Sequence, residues 1–242
     1  MKEKPYDKVS IIYNGLMQNV DYNNWSKYVL EIAEEYINDG ARILELAAGS
    51  CTMAELISRR FKNFFATDIS IPMLRSSKIN EFKKICCDMT ALPLKANFDF
   101  IFSAFDSVNY ILKQQALFRL FKEVFYVLRE NGIFTFDASL ENNSINFVTN
   151  KTIVGHYNGY SFKRISRYNR RSRIHYNNFI IINESGLKFK EVHKQKIHKL
   201  KTYFKLAEKA GLHIIALYKC FTFSDAGPDS DRIQFVMKKA RI

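Results

Sequence analysis

Between Ala41 and Asp137, short apolar runs alternate with longer amphipathic stretches. Ile43-Leu44-Glu45-Leu46 predicts a strand, residues 53–60 a helix, Phe64-Phe65-Ala66-Thr67 a second strand, and residues 71–80 a second helix. Ile85-Cys86-Cys87 and residues 98–103 predict the third and fourth strands. Over residues 115–128, Leu117, Leu120, Phe121, Val124, Phe125 and Leu128 recur at helical spacing and share one face. Asn131-Gly132 reads as the stop of that helix, and Ile133-Phe134-Thr135-Phe136 as a fifth strand. Strands and helices alternating at this spacing predict a parallel sheet covered on both faces.

The flanks have a different character. Upstream, Trp25, Tyr28, Val29, Ile32 and Tyr36 mark an amphipathic helix over residues 25–37, preceded by an arm carrying Tyr6, Tyr13 and Tyr22. Downstream, residues 160–182 and 187–197 are basic and β-rich, with hairpin-like breaks at 170–172 and at Ser185-Gly186. A helix over 199–210 stops at Gly211, and strands at 213–223 and 233–237 predict an antiparallel hairpin. Four parts follow: an aromatic arm and lid helix (1–40), a ligand-binding core (41–150), a basic β-flap (151–198), and a helix with a hairpin completing the core sheet (199–242).

Composition narrows the class. Of 242 residues, 47% are hydrophobic, 14% aromatic and 25% charged, which is the make-up of a folded globular chain. No apolar run is long enough to span a bilayer and the chain start lacks an apolar targeting segment, so a soluble, cytoplasmic protein without a membrane span is expected. Cys51, Cys86, Cys87 and Cys220 form no CxxC pair, so reduced thiols and no metal site are expected. The net charge of +13 is uneven: residues 1–150 hold 17 Lys/Arg against 18 Asp/Glu, and residues 151–242 hold 20 against 6. That asymmetry fits an anionic partner, and it equally fits a solvated lysine-rich surface.

The candidate chemistry lies at successive strand ends, where open parallel sheets bind ligands. The first loop reads Glu45-Leu46-Ala47-Ala48-Gly49-Ser50-Cys51, and its small residues let a ligand approach the backbone. Asp68 ends the second strand, one helix and one strand beyond Gly49, a spacing suited to ribose hydroxyls. Taken alone it equally suits the N-cap of the next helix. Asp88 closes the third strand, within reach of an adenine amino group. The three in register point to a nucleoside-type ligand.

These stretches resemble the class I S-adenosylmethionine-dependent methyltransferases over most of the chain. Residues 41–53 (ARILELAAGSCTM) are similar to the family's first motif, 64–74 (FFATDISIPML) to its second, and Cys87-Asp88-Met89 to its third. Phe105-Asp106-Ser107-Val108-Asn109-Tyr110 resembles the fourth motif of a bacterial small-molecule branch, as do Glu191-x-His193-x-Gln195 and Asp231-Arg232 in the tail. The resemblance implies a Rossmann-like α/β fold with a seven-stranded sheet, S-adenosyl-L-methionine as cofactor, and roles for individual residues. Glu45 would sit near the methionine amino group, Ala47 and Gly49 beneath it, and Asp68 at the ribose. Ile69 and Met73 would pack the adenine faces, while Asp88 and Met89 read its edge. Phe105 and Asp106 would flank the methyl donor, with Tyr13, Tyr22 and Trp25 closing over it. The first motif departs from the family in carrying Ala47 and Ala48, and alanine resists positive φ.

Methyl transfer needs alignment, exclusion of water and, for an ammonium acceptor, a proton acceptor. Tyr13 is the candidate positioning group and His193 the candidate base. A small-molecule acceptor, N- or O-methylated and anionic or nucleotide-linked, is the first expectation. Arg164, Arg167, Arg170, Arg171 and Arg173, interleaved with Tyr157, Tyr160, Tyr168 and Tyr176, raise RNA binding or modification as the alternative. A dinucleotide oxidoreductase is a third, opposed by the missing GxGxxG.

Overall fold

The apolar runs become strands of one sheet because each must bury both of its faces. In a computed structural model, which describes residues 5–95, 97–148 and 151–239 (backbone only at 147 and 148), the core strands are Ile43–Leu46 (β1), Phe64–Asp68 (β2), Lys83–Cys86 (β3), Phe98–Ser103 (β4) and Leu128–Ser139 (β5). Thr152–Tyr157 (β6), Tyr160–Asn169 (β7), Ile174–Asn183 (β8) and Lys188–Lys196 (β9) form a separate antiparallel sheet, the flap. Leu212–Lys219 (β10) and Arg232–Lys239 (β11) return to the first sheet, whose order is β10-β11-β5-β4-β1-β2-β3. Pairing within β5-β4-β1-β2-β3 is parallel, and the β10/β11 hairpin joins β5 antiparallel. This is the Rossmann-like α/β architecture expected from the sequence.

The helices are Val9–Leu16 (α1), Tyr22–Ala33 (α2), Thr52–Ile57 (α3), Ile71–Ser76 (α4), Gln114–Val127 (α5) and Leu200–Ala210 (α6). Period-two alternation splits the strand residues between two layers. Ile43, Phe64, Phe100 and Phe102 pack with α2 and α3 on one face. Leu44, Ile101, Phe134 and Phe136 pack with α5 and α6 on the other. Each buried aromatic of this kind contributes about 1.5–3 kcal/mol. The chain runs outward from β1 through β2 to β3, then returns to the far side of β1 as β4. A crevice opens beyond the strand ends at that reversal. No helix among the described residues is long and apolar enough to cross a membrane.

Several boundaries differ from the sequence reading. The helix read at 25–37 spans Tyr22–Ala33, because the Asp21 side chain accepts the Asn24 N–H at 2.9 Å and caps it early. The second core helix is shorter, ending at Ser76. α5 ends at Val127, where Leu128 turns extended (φ −76°, ψ 138°), so Asn131-Gly132 lies inside β5 rather than stopping the helix. A register shift opposite Phe98 and Phe100 presses Gly132 onto the partner strand. A Cβ there would lie 2.9 Å from the Phe98 and Asp99 carbonyl oxygens. The arm contains a helix, α1, and β6 is an additional flap strand; neither is predicted from local pattern.

α1 docks on the flap. Its Val9 and Ile12 form a small apolar cluster with Phe162, Phe179 and Ile181. The approach is close enough that a Cβ on Gly15 would sit 2.5 Å from Tyr157 Cβ.

Candidate functional site

Beyond the ends of β1, β2 and β3 lies a cavity of about 770 Å³, within the usual range for a small-molecule site. Its floor is the loop after β1. Glu45, the third residue of that strand, is almost fully buried and lines the cavity, and its Oε2 has no hydrogen-bond partner. Burial, reinforced by the Asp68 charge, pushes its carboxyl well above the ordinary range. A buried, unpartnered acceptor facing a cavity suits a cationic donor from a ligand.

The loop turns tightly through Ala47 (φ 55°), Gly49 (φ 56°) and Cys51 (φ 63°). Alanine therefore does adopt the left-handed conformation here, despite its resistance to it. A Cβ on Gly49 would meet Met73 Cε at 3.2 Å, so glycine is favoured there by its positive φ and Met73 would have to give slightly for any side chain. The Ala48 N–H donates to the Thr67 carbonyl at 2.8 Å, fixing the loop to β2.

Asp68 ends β2 and is buried at the cavity wall. Its Oδ2 accepts the Gly49 N–H and its Oδ1 the Ser70 N–H, each at 2.8 Å. Burial raises its carboxyl above the usual range, and those two donors partly offset the rise. The N-cap of α4 is Ser70, whose Oγ accepts the Met73 N–H, so Asp68 is not itself the cap. Each Asp68 oxygen retains acceptor capacity toward the cavity. Asp88 is exposed on the same cavity and its Oδ1 accepts the Thr90 N–H at 2.7 Å.

Eleven of the sequence-predicted residues line this one cavity: Tyr13, Tyr22, Glu45, Ala47, Gly49, Asp68, Ile69, Met73, Asp88, Met89 and Phe105. Tyr13 and Tyr22 hydrogen-bond each other; burial leads in raising both phenols, that of Tyr22 to about 12. Three residues stand behind the wall. Trp25 packs on Phe105 with ring centroids 4.5 Å apart. Asp106 turns away to Arg232 at 3.1 Å and to Gln195 Nε2 at 2.7 Å. His193 is on the buried face of flap strand β9 and hydrogen-bonds Tyr110 Oη at 3.1 Å. Tyr6 and Tyr110 are cavity-lining residues that the sequence reading did not assign. Their only signal was their place in an aromatic arm and at the end of the FDSVNY stretch.

The five flap arginines do not share a face. Arg173 pairs with Glu141, Arg164 is half-buried toward the core, and Arg167, Arg170 and Arg171 are exposed. Tyr157 and Tyr160 pack beside α1, and Tyr168 hydrogen-bonds Glu141 at 2.7 Å.

Residues 43–132 match the family described as "Methyltransferase domain". The chain is 24% identical over 245 residues to "Putative methyltransferase YqeM" of Bacillus subtilis (strain 168), covering 98% of each. Its fold is similar to that of an S-adenosylmethionine-dependent methyltransferase from Clostridium acetobutylicum ATCC 824 (TM-score 0.82, 24% identity, 98% of this chain and 100% of that one). It is also similar to the sugar N-methyltransferase KedS8 from Streptoalloteichus sp ATCC 53650 (TM-score 0.77, 18% identity, 100% and 94%).

Proposed function

We propose that this chain, an S-adenosylmethionine-dependent methyltransferase, transfers its methyl group to the nitrogen or oxygen of a small-molecule acceptor. The observation that carries the reading is the arm: Pro5, Tyr6, Asp7 and Tyr13 line the same cavity as the β1 loop, so the chain's own start walls the site. A site walled by its own chain suits a small acceptor better than a macromolecule. The fold neighbour acting on a sugar nitrogen supports the same acceptor class.

The residues present fit the cofactor. The unpartnered Glu45 Oε2 suits an ammonium, and the Gly49 cradle leaves room that a side chain would fill. Asp68 and Asp88 would receive the ribose and adenine donors, with Ile69 and Met73 against the adenine and Met89 at its edge. Phe105 would stand beside the reacting centre, held by Trp25, while Asp106 anchors the turn behind it. Tyr13 and Tyr22 would close over the site and exclude water. When bound, the cofactor supplies a methyl group already carried on a good leaving group, so the protein's task is alignment and proton removal.

Calorimetric titration with S-adenosylhomocysteine tests the first half, with saturable binding expected. Incubation with S-adenosylmethionine and a panel of amino sugars tests the second, read as S-adenosylhomocysteine release. No heat with the product overturns the cofactor site. Turnover confined to RNA overturns the acceptor class.

A further inference from the structure

Four polar side chains run in line from the cavity to the buried face of flap strand β9. Tyr6 Oη lies 2.7 Å from Tyr110 Oη, which lies 3.1 Å from His193 Nδ1. His193 Nε2 lies 3.0 Å from Glu191 Oε2. Tyr6 and Tyr110 line the cavity, whereas His193 and Glu191 are almost fully buried. The donors and acceptors can be assigned from the far end. Burial pushes the Glu191 carboxyl up, but hydrogen bonds from His193 and from the Lys8 and Val9 N–H groups outweigh it and hold it below the usual range. A carboxylate only accepts, so Nε2 carries a ring proton, and in the neutral ring Nδ1 is the acceptor. Tyr110 then donates to Nδ1, and its oxygen accepts from Tyr6. The Tyr6 oxygen keeps lone pairs free.

We propose that Tyr6, Tyr110, His193 and Glu191 form a proton exit line for the acceptor, with Tyr6 as the group that touches it and the buried His193–Glu191 pair as the terminus. The proposal rests on the methyl-transfer reading above. As the carbon–sulfur bond breaks, its electron pair stays on sulfur and the new bond forms to the acceptor nitrogen or oxygen. The acceptor's N–H or O–H proton passes to Tyr6 Oη, the Tyr6 proton to Tyr110 Oη, and the Tyr110 proton to His193 Nδ1. The line ends as an imidazolium facing a carboxylate, a charge pair in place of a lone buried cation. His193 is thus a positioning and proton-holding residue acting through Tyr110.

The titratable groups facing the ring are Glu191 on its own strand, Tyr110 after β4 and Tyr6 on the arm, whose ring centroid is 4.5 Å away. Phe179 from β8 covers another side, and Arg164 and Asp106 act on Tyr110 electrostatically. The polar members come from three places in the chain, the arm, the turn after β4 and flap strand β9, as a line crossing from arm to flap requires. A core histidine satisfied by one neighbour would not need the two hydroxyls leading outward.

The test uses the whole protein, labelled with ¹⁵N-histidine and saturated with S-adenosylhomocysteine, with His193→Gln assigning the signals. The expected spectrum shows a protonated Nε2 and an accepting Nδ1 at neutral pH. Tyr110→Phe shifts the Nδ1 signal strongly and Tyr6→Phe shifts it less. With an acceptor that turns over, Tyr6→Phe lowers kcat about 100-fold while KM for S-adenosylmethionine stays within about threefold. A protonated Nδ1, an Nδ1 signal unmoved by both Tyr→Phe changes, or full kcat in Tyr6→Phe each overturns the line. Failure to bind S-adenosylhomocysteine, scored beforehand by calorimetry, counts instead against the methyltransferase reading.

Discussion

The Gly49 N–H lies 2.8 Å from Asp68 Oδ2, so the glycine loop and the acid at the next strand end are one hydrogen-bonded unit. Asp68→Ala removes both this acceptor and that of the Ser70 N–H. The expected cost is about 1–3 kcal/mol of stability, because two donors lose their partner. S-adenosylhomocysteine binding should weaken at least tenfold further than in Asp68→Asn, which keeps one oxygen. Equal affinity in wild type and Asp68→Ala, measured by calorimetry, would remove Asp68 from the site.

Glu45 makes a prediction of opposite sign. Its carboxyl is held well above the ordinary 4.5, so the folded state binds more protons than the unfolded chain above that pH. Stability therefore falls as pH rises from about 4.5 toward neutrality. Glu45→Gln should melt higher than wild type at pH 7 without cofactor, and the two should converge below pH 4.5. The same substitution should weaken S-adenosylhomocysteine binding, since the ligand's ammonium would lose its counter-charge. Parallel melting curves at all pH values would show that Glu45 is not strained by burial.

Ala47 holds a left-handed conformation (φ 55°) that costs an L-residue roughly 1–2 kcal/mol. Ala47→Gly should recover about 1 kcal/mol after its own entropic loss, raising Tm by about 2–4 °C. Calorimetric melting decides this, and a lower Tm would mean that the alanine methyl contributes packing.

What could be read from local pattern divides by the distance between partners. β1 and β2 are short apolar runs between helices, and a sheet covered on both sides buries both of their faces. Glu45, Asp68 and Asp88 are legible because they fall at or near the ends of three successive strands, Glu45 one residue inside β1 and Asp88 two residues past β3. Leu128 was misread because it continues the helical spacing of α5 while its backbone already pairs with Phe98. α1 offers little beyond Val9, Ile12, Gly15 and Leu16 to the interior, and the apolar residues that cover Val9 and Ile12 arrive with β7 and β8, after the whole parallel core. Tyr6 and Tyr110 meet across 104 residues, and Asp106 meets Arg232 across 126. Such contacts leave no periodicity to find.

Arg232 joins two acids, reaching Asp137 at 3.0 Å and Asp106 at 3.1 Å. Burial pushes the Asp137 carboxyl up to about 7 even with the guanidinium opposing it. Arg232→Met leaves that buried carboxyl unpaired and should cost about 3 kcal/mol at pH 7 or above. The deficit should shrink as pH falls, because a protonated Asp137 needs no counter-charge. Denaturant unfolding at pH 8 and pH 6 measures both, and a deficit independent of pH would assign the loss to packing alone.

The arm must be held down for the cavity to keep that wall, and Gly15 is where that hold can be tested without touching the cavity. Gly15 does not line it, yet a Cβ there would stand 2.5 Å from Tyr157 Cβ on β6. Backbone helps fix both atoms, so neither side chain can swing clear, and overpacking of this kind costs about 1–3 kcal/mol. Because α1 is the smaller body, the strain should be relieved by lifting α1 from Phe162 and Phe179 rather than by unfolding the core sheet. Gly15→Ala is therefore expected to expose α1 to protease and to weaken S-adenosylhomocysteine binding severalfold, with little change in the main melting transition. Gly15→Ala combined with Tyr157→Gly removes the clash and should restore protection and part of the affinity, a coupling that independent sites would not show. Proteolysis and calorimetry on the two single variants and the double variant supply the cycle. Strict additivity would mean that α1 is not seated through this contact.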